Sequence, residues 1–389
     1  MLSNQKHLFD LPDYITYLNC AYMSPQLRSV ADVGIAAVSR KNLPFTIQPT
    51  DFFTEVKAVK TLFAKLIQTP ESERISIIPS VSYGLANVAN NIPLKPGENI
   101  LVVEDQFPSN VYLWQRLAEK NQATIRVVAA PSSASRTTAW NEAILEAIDH
   151  QTKLVAIGNV HWADGTKFDL MAIRQKTNEV GALLVIDGTQ SVGALPINVA
   201  ELQPDALICA GYKWLFGPYS IGVGYYGPYF DNGVPIEENW INRLNSEDFR
   251  GLVNYQALYQ PGAGRYSVGE QSNFILLPML KAALEQILAW GVDNIQSYTK
   301  NLSQAPLEIL REMGCQIEAE AQRCGHLFGI RLKEDAFDFR ELSQIFTENN
   351  IYVSFRGNSI RVAPHVYNDV NDFTQLTKCF AKARKKTFI

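Results

Sequence analysis

From about residue 75 to 226, short apolar runs alternate with longer stretches of helical period. The runs fall at 74–78, 99–103, 124–129, 153–157, 182–186, 206–209 and 221–226. Runs such as LVAI and LLVI are apolar at every position, not at every second one. A strand covered on both faces has that pattern, because both of its side-chain rows are buried. Helical stretches lie between the first six runs, at 82–91, 109–119, 139–148 and 170–180, with a shorter link near 200. Strand–helix–strand order predicts an α/β fold, a mostly parallel sheet with helices on both faces.

After about residue 260 the pattern changes. Helical stretches at 274–290, 294–313, 339–349 and 370–385 dominate, interrupted by apolar runs near 327–332, 352–355 and 359–362. This predicts a smaller α+β C-terminal unit. We expect a large unit over 20–260 and a small one over 261–389, with segment 1–19 packed on the latter. A helical stretch at 26–40 and an extended one at 14–22 could pack on either.

Composition narrows the function classes. Apolar residues make up 47% of 389, enough for a large core and incompatible with global disorder. The net charge of −4 offers no basic excess for nucleic acid. The one basic cluster, Lys382, Arg384, Lys385 and Lys386, reads as a solvated helix end. The 5 cysteines form no C-x-x-C pair and the 5 histidines no H-x-x-x-H, so we expect neither a disulfide framework nor a metal site. No apolar run approaches the roughly 18–20 residues of a bilayer span. Residues 1–10 lack a signal-peptide shape, so the expected location is cytoplasmic, with no membrane partner.

In open α/β sheets, ligands bind beyond the carboxyl ends of the strands. Five such ends carry varied chemistry: Pro79-Ser80-Val81-Ser82, then Gln106-Phe107-Pro108, Asn159-Val160-His161-Trp162, Asp187-Gly188-Thr189-Gln190, and Gly211-Tyr212-Lys213-Trp214. Ser80, Val81 and Ser82 offer backbone N–H groups at a helix start, which suits phosphate. Asp187 places a carboxylate at the end of an apolar strand, and Lys213 sits between two aromatics, where partial desolvation makes an amine nucleophilic. Each alone has an ordinary reading: a helix cap, a turn residue, a surface lysine, and a core phenylalanine at 107. Likewise His161 and Trp162 could be plain core. Together, an anion cradle, an acid, a flat aromatic and a lysine suit pyridoxal 5'-phosphate. That cofactor needs a lysine for its Schiff base and a carboxylate against its ring nitrogen.

The run LLVIDGTQSVGALPINV, followed by CAGYKWLFGP, resembles the class V aminotransferases, which are fold-type I pyridoxal-phosphate enzymes. That group includes cysteine desulfurases, kynureninase and isopenicillin N epimerase. The likeness runs from Tyr17–Pro25 to Ser359–Asp369. It implies that Lys213 forms the Schiff base and shuttles a proton, that Asp187 faces the pyridine nitrogen, and that Gln190 bonds the phenolic oxygen. It also implies that Phe107 stacks on the ring, that Val81 and Ser82 hold the phosphate with help from the Tyr212 hydroxyl, and that Arg361 grips a substrate carboxylate. A homodimer is implied too.

Three departures stand out. Desulfurases of this group carry a nucleophilic cysteine on the loop before that arginine, and 353–359 holds none. We therefore expect no desulfurase activity, because persulfide formation needs a thiolate. Val81 stands where many relatives have a hydroxyl, and Glu270 stands where a partner subunit often supplies one, with Gln271 or Ser272 as substitutes. The expected activity is that of a pyridoxal-phosphate enzyme on an amino acid or related amine, by transamination, epimerisation or elimination. The alternative is a non-catalytic binding or regulatory protein that keeps the fold. A nucleotide-dependent oxidoreductase would need G-x-G-x-x-G opening a helix, and SIGVGYYGP does not supply it.

Overall fold

The computed structural model of the chain describes residues 2–133, 135–332 and 336–384. Lys385 and Lys386 of the basic cluster, and the last position of the helix expected at 370–385, lie outside the described residues.

Seven strands build the central sheet: β1 (Ile75–Ile78), β2 (Asn99–Val103), β3 (Thr124–Val128), β4 (Thr152–Gly158), β5 (Leu183–Asp187), β6 (Ala206–Ala210) and β7 (Gly222–Tyr226). Their spatial order is β1-β7-β6-β5-β4-β2-β3. Strands β3, β2, β4, β5 and β6 run parallel, and β7 is antiparallel to both β6 and β1. Side chains alternate between faces along a strand. Ile77, Leu101, Val155, Ile157, Leu184 and Ile186 enter one core, while Ile78, Ile100, Val102, Leu154, Ala156 and Val185 enter another. Strands β2, β4 and β5 thus feed two cores, which is why their apolar runs have no polar alternate, whereas the edge strand β3 leaves Val127 exposed.

Helices cover both faces. Facing the second core are α3 (Val81–Asn90), through Leu85 and Val88, and α4 (Tyr112–Lys120), through Trp114. On the first lie α2 (Asp51–Leu66), α5 (Arg136–Ala147), α6 (Leu170–Val180) and α7 (Leu276–Trp290). Asp169 caps α6 by accepting from the Ala172 N–H at 3.0 Å, and Gly181 ends it with φ of 75°. Helix α1 (Arg28–Arg40) precedes α2 and packs on α7.

A third core belongs to the C-terminal part. It joins the far half of α8 (Val292–Glu312) to α9 (Phe339–Glu348), α10 (Val370–Ala383) and a three-stranded antiparallel sheet. That sheet has β9 (Ser354–Arg356) beside β10 (Ser359–Val362) beside β8 (Phe328–Arg331). The N-terminal segment meets this part, since Thr16–Tyr17 pairs in parallel with Ile351–Tyr352 and Asn19 bridges to Ala363. Two expectations needed revision. The run expected at 352–355 is two short strands broken at Val353, and 51–66, for which no helix is expected, forms α2.

The turns after β5 and β6 are locked together. Gly193 has φ of 101°, and a Cβ on it would lie 2.3 Å from the Trp214 carbonyl oxygen. Only glycine permits that approach. The close contact draws the loop carrying Asp187 against the loop carrying Lys213. Among the described residues, no helix is long and apolar enough to cross a membrane.

Candidate functional site

Six sheet termini converge on one cavity of about 310 Å³. Its wall takes Pro79–Ser82 from beyond β1, Gln106, Phe107 and Ser109 from beyond β2, Gly158 from the end of β4, and Val160 and Trp162 from beyond it. Asp187, Thr189 and Gln190 come from β5, Ala210, Tyr212 and Lys213 from β6, and Tyr219–Ile221 from the approach to β7. The volume falls within the usual range for a small-molecule site.

Lys213 is 6% exposed, and its Nζ makes no hydrogen bond or ion pair among the described residues. It lies 5.5 Å from the Phe107 ring centroid and 5.4 Å from that of Tyr212. Burial lowers its pKa to about 8; Asp187 opposes the shift, while Arg361 and Arg356 add to it. Asp187 shows the mirror condition. Desolvation pushes its carboxyl pKa up, and neither Thr189 nor Lys213 offsets this. The Thr189 N–H donates to Asp187 Oδ1 at 3.0 Å, and Thr189 Oγ1 accepts from the Ala210 N–H at 3.2 Å. Thr189 therefore staples the end of β5 to the end of β6.

Gln190 is 5% exposed and already held at both ends. Its Nε2 donates to the Ala21 carbonyl at 3.1 Å, and its Oε1 accepts from Trp214 Nε1 at 2.9 Å. One N–H of the amide stays uncommitted. Ser80 caps α3 by accepting from the Tyr83 N–H at 3.2 Å, and its hydroxyl lies 3.0 Å from that of Ser82. The first N–H groups of α3, on Val81 and Ser82, thus open at the cavity. Phe107 packs edge-on against Trp162 with centroids 5.4 Å apart, and Tyr212 packs on Tyr219 at 4.6 Å.

Arg361 is 1% exposed and sits behind Trp162, off the cavity wall. Its Nη1 donates to the Trp162 carbonyl at 2.7 Å and its Nη2 to Ser354 Oγ at 3.2 Å, while Nε is buried without a partner among the described residues. Burial lowers its pKa to about 10, with a further push from Arg356. Residues 270–272 are not on the cavity wall of their own chain; Ser272 Oγ donates instead to the Phe52 carbonyl at 2.5 Å. His161 is core and not wall, held between Asp164 at 2.9 Å and the Asp105 carbonyl at 3.2 Å. Trp162 does line the cavity.

Sequence reasoning named no role for Thr189, Gln106, Tyr219 or Ser220. Thr189 stands inside the DGTQ run, so attention to backbone satisfaction could have found it. Tyr219 and Ser220 precede an antiparallel strand, and a search of carboxyl strand ends alone passes over them.

Two buried histidines brace the site from behind. His326 Nε2 donates to the Gln190 carbonyl at 2.8 Å, and its Nδ1 accepts from Gln296 at 2.6 Å. His365 packs against Trp214, Phe216 and Trp290, with neither ring nitrogen partnered among the described residues. Burial lowers the pKa of His326 to about 4 and that of His365 to about 3. Both lie below the unfolded value near 6.5, so the neutral rings contribute stability above that pH and lose it as pH falls toward the folded values. Between pH 7 and pH 5 the chain should lose about 2 kcal/mol per ring. Urea unfolding at the two pH values checks this, with His365→Phe expected to flatten the slope. Equal midpoints for the native chain at pH 7 and pH 5 would contradict it.

Comparison with known proteins adds the following. The family model described as aminotransferase class-V matches residues 48–375. A cysteine desulfurase of Pectobacterium atrosepticum is 26% identical over 309 residues, 77% of this chain and 73% of that protein. An uncharacterized aminotransferase of Bacillus subtilis, YcbU, is 26% identical over 352 residues, 90% of this chain and 88% of its own. Among solved structures, a complex of the cystine C-S lyase C-DES with its product cysteine persulfide has a TM-score of 0.83 at 19% identity, over 95% of this chain and 98% of that one. The cysteine desulfurase CsdA of Escherichia coli has a TM-score of 0.79 at 16% identity, over 97% and 96%. These likenesses show the fold.

Proposed function

The chain belongs to the class-V aminotransferase family, and from that premise we propose that it is a pyridoxal-phosphate enzyme acting on an amino acid or related amine at Lys213. The observation that carries the reading is a buried, unpaired amine and a desolvated acid on one cavity, at the ends of adjacent strands. Neither group gains from that position in the protein by itself. Both fit this cofactor, whose aldehyde takes up an amine and whose protonated ring nitrogen suits a carboxylate. When bound, the cofactor supplies an electron sink for substrate Cα.

The remaining roles follow from placement. The N–H groups of Val81 and Ser82, with the Ser82 and Tyr212 hydroxyls, would hold the phosphate at the start of α3. Phe107 offers a flat apolar face for the ring, and Gln190 has one N–H left for an oxygen acceptor. Lys213, neutral once released, is positioned to take and return the Cα proton. Arg361 would hold the substrate carboxylate after giving up the Trp162 carbonyl, because a guanidinium fork prefers a charged acceptor. Residues 20–260 would form most of the cofactor unit, which α7 joins by packing on the first core, and the chain from the far half of α8 on would form a smaller lobe that brings in Arg361.

The reading excludes cysteine desulfuration by a loop thiol. No cysteine lies in 353–359, and all 5 cysteines are buried. Burial raises the thiol pKa of each of them, which opposes the thiolate such chemistry needs. A homodimer is supported by the exposed apolar side chains Val253, Tyr255 and Leu258, at 79%, 96% and 64%. The test is an amino-acid panel with the purified protein, reading visible absorption and products together. Turnover with a band that borohydride abolishes supports the reading; no band after incubation with the cofactor overturns it.

A further inference from the structure

A second cavity of about 590 Å³ adjoins the first, and Gln106 and Trp162 form part of both walls. Its charged groups are mostly spoken for. Arg136 pairs with Asp164 at 2.9 Å, and Arg331 pairs with Glu318 at 3.1 Å. Asp105 is exposed to solvent. Arg356 is left over, with no ion pair among the described residues. Among the described residues its one side-chain hydrogen bond runs from Nη1 to the carbonyl of its own neighbour Phe355, at 2.7 Å. Its guanidinium lies 5.4 Å from the Trp162 ring centroid, which holds it over the passage between the cavities.

The unsatisfied atoms on this wall share one chemistry. Arg356 Nε, Gln106 Nε2 and Ser359 Oγ are buried without hydrogen-bond partners among the described residues. The first two can only donate and the third can. Unmet donors beside an unpaired cation call for an anionic acceptor. The sheet register also aims this cation at the substrate. Arg361 pairs with Ser354 across the β9–β10 ladder, and Arg356 stands two positions beyond Ser354 on the same strand. Both arginines therefore project from one face as diagonal neighbours. One guanidinium suffices for an α-carboxylate, so the second has no partner in a substrate with a neutral side chain.

We propose that Arg356 determines side-chain specificity and that the substrate is an amino acid with a second carboxylate at its far end. This rests on the pyridoxal-phosphate reading above and names its substrate class. The segment 353–359, where the resemblance puts a thiol in desulfurases, here carries a cation at the end of β9, so it recognises the side chain and does not attack it.

The experiment compares kcat/KM of the cofactor-loaded protein for glutamate against glutamine and for aspartate against asparagine, pairs alike in shape and different in charge. We expect the acids to be preferred by about 10–100-fold. In Arg356→Met the preference should collapse toward unity, mainly through KM, and Arg356→Lys should retain part of it. A parallel titration follows the thermal midpoint with glutarate and with glutaramate, neither of which can react. Glutarate should raise the midpoint of the native chain, and need at least tenfold more ligand to do so in Arg356→Met. Equal use of acids and amides, or a preference unchanged in Arg356→Met, overturns the proposal while leaving the cofactor reading intact. Failure to take up cofactor, with glutarate binding still dependent on Arg356, sinks the cofactor reading and leaves the anion site standing.

Discussion

Replacing Lys213 by alanine will abolish covalent attachment of the cofactor and lower turnover by at least about 10³-fold, while the chain stays folded. The expectation starts from burial. At 6% exposure, with Nζ unbonded, the amine gives little to stability, so its loss should leave the thermal midpoint near the native value. What disappears is a nucleophile that burial has prepared. Lowering its pKa from 10.5 to about 8 raises the neutral fraction at pH 7 by roughly 300-fold. Intact mass after borohydride reduction should show the cofactor increment on the native chain and none on Lys213→Ala. The rate of attachment in the native chain should climb with pH and level off above about 8. An increment that persists in the variant would move the covalent site to another amine.

Much of this site was readable because the chemistry of a parallel sheet collects at strand ends. The limits expected for 99–103, 359–362 and 170–180 are those of β2, β10 and α6. Asp187 and Lys213 could therefore be placed as neighbours once the strands were counted. Contacts between distant segments could not be read the same way. Arg361 was visible as a residue, but its bond to the Trp162 carbonyl joins positions 199 apart. The bracing of Gln190 by His326 likewise crosses 136 positions. The omission of α2 has a different cause. Phe53, Val56, Val59 and Phe63 do recur at helical spacing and Asp51 lies in the first turn, but the Thr50 side chain makes no cap, so only part of a start signal marks the helix. Arg356 drew no notice because an arginine near a loop is ordinarily solvated. Only the pairing of Arg136 and Arg331 with their own acids shows that it is the unmatched cation of this wall among the described residues.

Asp187→Asn should separate stability from function at the same position. Desolvation raises the pKa of this carboxyl, so its ionised form is disfavoured by the fold. A group with a raised acidic pKa weakens the folded state once pH exceeds its unfolded value near 3.9, and the cost persists at neutral pH. Asparagine keeps an oxygen to accept from the Thr189 N–H and discards the charge. The cofactor-free variant should therefore melt at the native temperature or above it. With cofactor the order reverses. A neutral amide cannot hold a ring nitrogen protonated, so cofactor affinity should fall and Cα proton removal should slow by about 10²–10³-fold. Differential scanning calorimetry with and without cofactor, beside the exchange of the substrate Cα proton into deuterated water, reads both effects. A variant that melts lower without cofactor yet exchanges at the native rate would make Asp187 a structural residue, because a charge kept for catalysis weakens the fold that carries it.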